Sequence, residues 1–464
     1  MAELICVSPI DGREVARRQT ASAGAIAAAL AQLRLAQSAW AHVPLGERAA
    51  ILDRFLEIMR AQNEEVTVEL AWQIGRPVRY GGEFRSFAER VRYLIDLAPA
   101  ALTPMLPADR QAGLTRYIAR VPLGIVLVVA PWNFPYLTAV NTIVPALMAG
   151  NAVMLKHSAQ SLLVGERFQA ALDAAGLPPG LFCNMALSHD DTARILSTAS
   201  VNHITFTGSV EGGRAIERAA AGSFTSCTLE LGGKDPAYVR ADANLEFAVE
   251  NLVDGAFFNS GQSCCGIERI YVHESLFDAF VEGFVALTRS YVLGDPLDPA
   301  TTLGPMVKAS AADFVRGQIS AALDAGAKAH IDPATFAADA VGTPYMAPQV
   351  LTRVSHEMAV MRDESFGPVV GIMKVSDDAE AIRLMNDSPY GLSASIWSED
   401  PQAAHRIAPA LETGTVFLNR CDYLDPALAW TGVKDTGRGA TLGILGYEHL
   451  TRPKSYHFRL DTKG

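Results

Sequence analysis

Charged residues are scarce in this sequence: they make up 19% of its 464 residues, against about 25% in an average globular protein. Cations are in the minority, since Lys and Arg number 39 and Asp and Glu number 50, for a formal net charge of −11. That balance disfavours a dedicated nucleic-acid surface or a polybasic membrane surface. A low charged fraction suits a large protein with much buried surface, subunit interfaces included.

Cysteine is also scarce, with six residues and no CxxC pair of the kind that binds metal. Scattered thiols in so long a chain indicate a reducing compartment. The first residues show no cationic stretch followed by an apolar run, and the apolar run 121–130 is too short to cross a bilayer. We therefore expect a cytoplasmic, soluble protein with no membrane partner.

Signatures of metal binding and of serine hydrolysis are missing as well. The ten histidines form no ligand cluster, and His273 and His356 each precede a Glu without the second His of HExxH. No G-x-S-x-G motif is present. We therefore predict no metal site and no Ser-His-Asp hydrolase.

The order of strand and helix patterns indicates an α/β protein. At about 150 residues per domain, the length predicts roughly three domains. A strand pattern at 152–156, a helix pattern at 160–175, a strand at 201–206 and a helix at 211–220 are typical of βαβ units and a parallel sheet. The alternation returns after residue 230, so the chain contains two α/β regions.

Two segments carry candidate reactive side chains. Cys264 follows the polar turn Asn-Ser-Gly-Gln-Ser, which favours a nucleophile, whereas a lone thiol is more often a small buried apolar group. Glu230 stands between two leucines and ahead of two glycines. Burial there would raise its pKa towards the range of a general base. The segment by itself equally describes an exposed Glu at the end of a strand.

Three further segments could bind a ligand, and each has an ordinary structural alternative. Asn133, in Pro-Trp-Asn-Phe-Pro, ends an apolar strand, where its amide could hold an oxyanion or simply cap a turn. Gly208 and Ser209 follow a strand and open a helix, a place for a pyrophosphate or a plain turn. Glu364 and Phe366 could orient a ribose and wall a ring, or form an exposed turn.

The order and spacing of these segments resemble the aldehyde dehydrogenase superfamily along essentially the whole chain. PWNFP, FTGS, ELGGKDP, GQSC and ESFGP occur in the order that the family has, and Glu230 lies 34 residues before Cys264. The resemblance implies an α/β fold with a Rossmann-like cofactor domain, an α/β catalytic domain and a small β oligomerisation arm. These would span 1–110 with 132–229, 230–445, and 111–131 with 446–464, in a homodimer or homotetramer.

The resemblance also implies a mechanism. Cys264, as a thiolate, attacks an aldehyde, and the Asn133 amide and the Cys264 backbone N–H hold the resulting oxyanion. Hydride leaves to the nicotinamide, and Glu230 activates the water that hydrolyses the thioester. Relatives that transfer the acyl group to coenzyme A lack this Glu, so a free carboxylic acid is the expected product. Cys265 is interpreted as a packing residue.

The cofactor implied by the resemblance is NAD or NADP. Its binding residues are expected to be Glu364 on the nicotinamide ribose, Phe366 beside the ring, Lys156 at the adenine ribose, Gly208 and Ser209 at the pyrophosphate, and Trp132 along the cleft. NAD-specific relatives often read Lys-Pro-Ser/Ala-Glu where this chain has Lys-His-Ser-Ala from Lys156. Without that carboxylate a 2′-phosphate is not repelled. NAD is our default, with dual use expected to be feasible.

The substrate is predicted only as a small or medium aldehyde. Semialdehyde-oxidising relatives often carry an Arg eight residues after Asn133, where this chain has Asn141, although another cation could serve. The segment 420–425 occupies the family's variable substrate loop. Two alternatives remain open: a succinate-semialdehyde-type dehydrogenase, and a non-catalytic structural or binding protein on the same fold, which the intact Cys264, Glu230 and Asn133 disfavour.

Overall fold

The computed structural model describes residues 2–462. The helices are α1 (Ala23–Trp40), α2 (Leu45–Ala61), α3 (Asn63–Ile74), α4 (Phe84–Ala101), α5 (Pro135–Met148), α6 (Leu162–Ala174), α7 (His189–Ser197), α8 (Val210–Ala220), α9 (Leu245–Phe257), α10 (Phe277–Thr288), α11 (Ala309–Asp324), α12 (Ala359–Arg362), α13 (Asp378–Asn386), α14 (Pro401–Ile407) and α15 (Gly443–His449). None of the helices within residues 2–462 is both long and apolar enough to span a membrane.

The strands are β1 (Glu3–Val7), β2 (Glu14–Gln19), β3 (Leu114–Pro122), β4 (Ile125–Val129), β5 (Ala152–Lys156), β6 (Phe182–Asn184), β7 (His203–Thr207), β8 (Ser226–Glu230), β9 (Asp235–Val239), β10 (Ile267–His273), β11 (Lys328–Ala329), β12 (Gln349–Thr352), β13 (Val369–Val375), β14 (Tyr390–Gly391), β15 (Ser393–Trp397), β16 (Thr415–Leu418), β17 (Val433–Lys434), β18 (Gly437–Arg438) and β19 (Thr451–Arg459).

The first large sheet has the strand order β18-β8-β7-β4-β5-β6. Its pairs are parallel except β18 with β8, where Gly437 lies opposite Glu230. β4 and β5 are buried along their whole length because helices cover both faces of the sheet. This burial explains their continuous runs of Val, Ile, Leu and Met, and it makes the sheet the centre of the largest apolar core.

The second large sheet has the order β11-β12-β13-β10-β9-β15-β16, with β11 the antiparallel edge strand. Its central strands β9 and β10 are buried against α9 and α10, which form a second apolar core. Parallel strands carry their ligands beyond their carboxyl ends. β4 and β8 of the first sheet end at the Pro-Trp-Asn-Phe-Pro and Glu-Leu-Gly-Gly segments, which face the loops that precede β10 and β13 of the second.

A two-stranded antiparallel ribbon stands apart from both sheets. It pairs β3 with β19 from Leu114 opposite Arg459 to Pro122 opposite Thr451. Most β19 side chains are exposed, and Tyr117 stacks on Tyr456 at a ring-centroid separation of 4.5 Å. β19 therefore begins within the segment 446–464, and its partner β3 is the strand that leads into β4.

Candidate active site

The loop that carries Cys264 has an unusual backbone. After α9, three successive residues, Asn259, Ser260 and Gly261, have left-handed φ values of 52°, 58° and 70°. A Cβ at Gly261 would collide with the Gly367 carbonyl, so the conformation and the close approach both require glycine there. The turn presents Cys264, half-buried, to a cavity shared with Glu230.

The neighbouring thiol is held in a different environment. Cys265 is 2% exposed, and its Sγ donates to Asp422 Oδ1 at 3.0 Å. The adjacent Cys264 thiol and burial together raise the pKa of Cys265 well above its ordinary value. A thiol kept protonated and engaged with a carboxylate is a poor nucleophile. The geometry therefore favours Cys264 as the reactive thiol.

Asn133 lies directly behind the cysteine loop. It follows the end of β4, and its Nδ2 donates to the Gln262 carbonyl at 3.2 Å. Asn259 Nδ2 donates to the Asn133 carbonyl at 3.3 Å and to the Gln262 carbonyl at 3.2 Å. These bonds tie the Asn133 amide to the backbone two residues before Cys264, which is the neighbourhood that an oxyanion-stabilising donor requires.

A buried ion pair that the sequence did not reveal supports Asn133. Arg76 donates to the Asn133 carbonyl and pairs with Glu83 at 2.5 Å, with side chains 3% and 2% exposed. The other Glu83 oxygen accepts from the backbone N–H groups of Tyr136 and Leu137, at 3.1 and 2.9 Å. Glu83 thus caps α5 from across the chain. No motif marks this pair, because its partners are joined only by the fold.

Glu230 is buried rather than exposed, so the alternative of a solvated Glu at a strand end is wrong. It is 8% exposed, and its carboxylate accepts from Thr207 Oγ1 at 2.8 Å and from Thr441 Oγ1. Desolvation raises the pKa of Glu230, while the two threonine hydroxyls and the charge of Arg90 oppose the rise. A carboxyl group with a raised pKa is better matched to proton transfer near neutral pH.

The cavity in front of Cys264 and Glu230 has a volume of about 630 Å³. Its apolar lining includes Phe134, Leu137, Phe258, Tyr423, Leu424 and Trp430. Asn141, Arg90 and Asp422 add polar groups. A cavity of this size and mixed lining suits a small or medium organic molecule. Two residues of the predicted substrate loop, Tyr423 and Leu424, are therefore placed at the cavity.

Gly232 and Gly233, which follow Glu230 and Leu231, lie between the Cys264 backbone and a second carboxylate, that of Glu364. A Cβ at Gly233 would collide with the Cys264 carbonyl, and one at Gly232 with the Glu364 carboxylate. The Gly233 N–H donates to Glu364 Oε1 at 3.0 Å. Burial, with the nearby charge of Glu268, raises the pKa of Glu364 to about 7.

An ion pair beneath Glu364 fixes its loop. Lys234 is fully buried, pairs with Glu268, and donates to Ser365 Oγ at 3.0 Å. Glu268 also accepts from the backbone N–H groups of Ser365 and Phe366, at 2.8 and 2.9 Å. Lys234 stands inside the ELGGKDP segment, but no pattern in the sequence assigned it or Glu268 a role.

The aromatic residues expected beside a cofactor ring are in contact. Trp132 and Phe366 meet edge to face, with ring centroids 5.7 Å apart. Phe366 has a φ of 49°, a conformation that L-residues rarely adopt. The structure therefore brings Trp132, Phe366 and Glu364 together along one side of the cysteine loop.

Lys156 and Gly208 lie at the carboxyl ends of β5 and β7, the two strands that flank β4 in the first sheet. Lys156 ends β5, is 8% exposed, and its Nζ makes no ion pair or hydrogen bond within residues 2–462. Burial lowers its pKa. A buried ammonium without a protein partner fits a ligand with hydroxyl or phosphate oxygens. Ser209 caps α8, accepting from the Gly212 N–H at 3.2 Å, so the helix start lies at this ligand side.

His157 occupies the position where relatives often carry proline. Its Nε2 donates to the Pro135 carbonyl at 3.2 Å, and its Nδ1 accepts from Ser161 Oγ at 2.9 Å. Burial lowers the pKa of His157 to about 4, so the ring is neutral at pH 7. The next residues, Ser158 and Ala159, provide no carboxylate to repel a ribose phosphate.

The sequence model of the aldehyde dehydrogenase family matches residues 2–456, and the chain belongs to this family. It is 31% identical over 462 residues to betaine aldehyde dehydrogenase 2 of Rhizobium meliloti (strain 1021), covering 99% of this chain and 95% of that one. It is 33% identical over 445 residues to the succinate semialdehyde dehydrogenase Sad of Escherichia coli (strain K12), named as using NAD(P)+, covering 95% of each.

A solved structure shows the same fold. The succinic semialdehyde dehydrogenase of Streptococcus pyogenes, in complex with NADP+, superposes with a TM-score of 0.92 at 28% identity, covering 98% of this chain and 100% of that one. The predicted α/β aldehyde dehydrogenase fold is thereby confirmed. The protein is an NAD(P)-dependent aldehyde dehydrogenase, as its sequence motifs predicted.

Proposed function

We propose that the protein oxidises a small or medium aldehyde to the free carboxylic acid, with Cys264 as nucleophile, Asn133 as oxyanion donor and Glu230 as general base. The observation that carries this proposal is that Cys264 and a buried Glu230 with a raised pKa line one cavity. A base beside the thioester favours hydrolysis over transfer of the acyl group to another thiol.

The placement of the groups supports the following steps. The Cys264 thiolate forms a bond to the aldehyde carbon, and the carbonyl oxygen takes the negative charge. The Asn133 amide and the Cys264 backbone N–H stabilise that oxygen, since both are fixed before the reaction begins. When hydride has left the carbon, an acyl thioester remains on Cys264. Glu230 then accepts a proton from water, which attacks the thioester, releases the acid and returns the thiolate.

The bound nicotinamide cofactor supplies the hydride acceptor. Lys156 and Glu364 would hold its two riboses, since each is a buried polar group with capacity for hydroxyls. Phe366 and Trp132 would flank the ring side, and the turn at Gly208 and Ser209 would meet the pyrophosphate. Both NAD and NADP are cofactors of this family. The lack of a carboxylate at Ala159 supports use of either, with NAD as our default.

The two large sheets support a division into domains, although β18, from the range 230–445, pairs with β8 of the first sheet. We assign residues 1–110 with 132–229 to cofactor binding and 230–445 to catalysis, with 111–131 and 446–464 as an oligomerisation arm. The exposed ribbon of β3 and β19 supports the arm assignment, because a two-stranded ribbon in which β19 has an open outer edge gains stability from further pairing. We propose a homodimer or homotetramer. Six free cysteines support a reducing, cytoplasmic location.

The test is a panel of aldehydes assayed with NAD+ and with NADP+ by the absorbance of the reduced cofactor. We expect turnover with at least one aldehyde, loss of all turnover in Cys264→Ala, and retention of turnover in Cys265→Ala, the matched control. Full activity in Cys264→Ala would overturn the mechanism. A strong preference for NAD+ would reject dual cofactor use.

A further inference from the structure

The cavity contains a buried cation that the aldehyde oxidation described above does not use. Arg90, on α4, is 6% exposed and lines the cavity together with Cys264 and Glu230. Its Nη1 donates to the Leu137 carbonyl and to Asn141 Oδ1, both at 3.1 Å. No carboxylate within residues 2–462 pairs with it, and its Nε is buried without a hydrogen-bond partner.

The guanidinium of Arg90 therefore carries a positive charge without a paired carboxylate from the described residues at the wall of the cavity. Burying an unpaired guanidinium is costly unless something compensates it, and here Asn141 Nδ2 is a second buried donor without a partner. The Arg90 Nη2 group makes no hydrogen bond within residues 2–462 and is not itself fully buried, so it presents a donor and the positive charge to the cavity. A carboxylate oxygen matches both.

The acidic groups around Arg90 are already engaged. Glu83 pairs with Arg76, and Glu230 accepts from Thr207 and Thr441. Glu89 accepts from the Tyr423 hydroxyl at 3.2 Å, and the charges of these three carboxylates act on Arg90 only from beyond ion-pair distance. On the other side of the cavity, Asp422 accepts from Ser263 and Cys265. The positive charge of Arg90 therefore has no local counter-ion among residues 2–462.

We propose that Arg90, positioned by Asn141, binds a carboxylate at the far end of the substrate, so that the enzyme acts on aldehydes that are also carboxylates. The proposal rests on the proposed function of Cys264 and Glu230. It resolves the apparent conflict at Asn141: the cation is supplied from α4, and Asn141 accepts a hydrogen bond from it. An aldehyde without the carboxylate leaves the Arg90 guanidinium unpaired, and the enzyme therefore discriminates against it.

The experiment compares aldehydes of matched length and different charge. The probes are succinate semialdehyde, neutral butanal and cationic betaine aldehyde, each assayed for kcat/KM with saturating NAD+ or NADP+. We expect the semialdehyde to exceed butanal by about 10- to 100-fold, the range of a charge-assisted hydrogen bond to a charged ligand. Butanal or betaine aldehyde as the better substrate would overturn the proposal, the latter assigning the cavity to cations.

The variants separate substrate binding from structural support. Arg90→Met keeps the apolar stem and removes the charge, a change that buried sites often tolerate. We expect it to erase the preference for the semialdehyde, mainly through KM, and to lower kcat/KM for butanal much less. Because loss of the Arg90 charge raises the pKa of Glu230, the two aldehydes are compared on the alkaline side of the acidic limb, where Glu230 is deprotonated. Arg90→Lys, which keeps the charge and loses the planar fork, should retain part of the preference. If Arg90→Met fails to fold, Arg90→Lys tests the proposal by the same comparison of the semialdehyde with butanal.

Two arginines on α4 provide controls. Arg92 is exposed and outside the cavity, so Arg92→Met should leave both kcat/KM values unchanged. Arg85 is exposed at the cavity rim, and loss of the preference in Arg85→Met but not in Arg90→Met would overturn the assignment. Equal losses on all aldehydes in Arg90→Met would show a structural role instead. Failure of the wild type on every aldehyde would reject the proposed function itself.

Discussion

Glu230 shows how one side chain acquires its chemistry from its surroundings. Desolvation raises its pKa, and the hydroxyls of Thr441 and Thr207 limit the rise by donating to the charged form. A base must be deprotonated to act, so activity should be lost as pH falls through this raised pKa. The acidic limb of the kcat profile therefore reports the environment of one carboxyl group.

Replacement of the base should separate the two chemical stages. In Glu230→Gln we expect acylation to continue and thioester hydrolysis to slow by about 100-fold or more, the usual contribution of a general base. Rapid-mixing measurements should show a burst of reduced cofactor close to one equivalent per subunit, followed by little turnover. An unchanged steady-state rate would contradict the role of Glu230.

The threonines should tune that base without abolishing it. Thr441→Val removes a hydrogen bond to the charged carboxylate, so the pKa of Glu230 rises further and the acidic limb of the kcat profile moves to higher pH. Thr228→Val is the matched control. Thr228 lies on β8 together with Glu230, and its Oγ1 is buried without a hydrogen-bond partner among residues 2–462. A profile that does not move in Thr441→Val would refute this tuning.

At the scale of elements, the site depends on loops held by buried ion pairs. The Arg76–Glu83 pair links the segment before α4 to the Pro-Trp-Asn-Phe-Pro turn and to the start of α5. The Lys234–Glu268 pair does the same for the segment that contains Glu364. Each pair also makes hydrogen bonds to backbone groups. These bonds help to offset the cost of removing the buried charges from water.

Breaking the first pair should affect both stability and catalysis. In Glu83→Gln, Arg76 becomes a buried unpaired charge, and we expect the free energy of unfolding to fall by about 3–5 kcal/mol. Because Asn133 is held by Arg76, kcat should fall about tenfold or more, with a smaller change in KM, as expected for a disturbed oxyanion donor.

Denaturant unfolding and steady-state kinetics measure the two effects of Glu83→Gln. The control is Glu211→Gln, which breaks an exposed pair with Arg214 and should change neither quantity measurably. A Glu83→Gln protein that is destabilised but keeps the wild-type kcat would show that the pair supports the fold without positioning Asn133.

At the scale of the whole molecule, the ribbon of β3 and β19 extends from the body with apolar side chains exposed. Phe458 is 49% exposed and Leu460 is 68% exposed. Exposed apolar groups beside an unpaired strand edge are typical of a surface that another subunit covers. In the proposed oligomer, burial of this surface between subunits would also account for the low fraction of charged residues.

The oligomer should depend on this ribbon. We expect sedimentation of the wild type to give the mass of a dimer or tetramer, and Phe458→Glu with Leu460→Glu to shift the mass towards the monomer, because charge is costly in an apolar interface. Phe224→Glu, at a fully exposed phenylalanine elsewhere, should leave the mass unchanged. A wild-type monomer would contradict the arm assignment.

Much of the fold followed from local patterns. The apolar run 152–156 predicted a strand, which the structure confirms as β5, because a strand buried on both faces must be apolar throughout. The helix predicted at 211–220 is α8, which begins one residue earlier. Short motifs also marked Cys264, Glu230 and Glu364, since the close approaches around them need glycine at fixed positions.

The sequence by itself determined the family, the order of the elements and the residues of the motif segments, because these depend on local spacing and composition. Only the tertiary structure decided that Glu230 is buried, that Arg76 and Glu83 support Asn133, and that Arg90 lines the cavity beside Asn141, 51 residues away in the chain. Burial and pairing are relations through space, and no local pattern encodes whether a buried charge has found its partner.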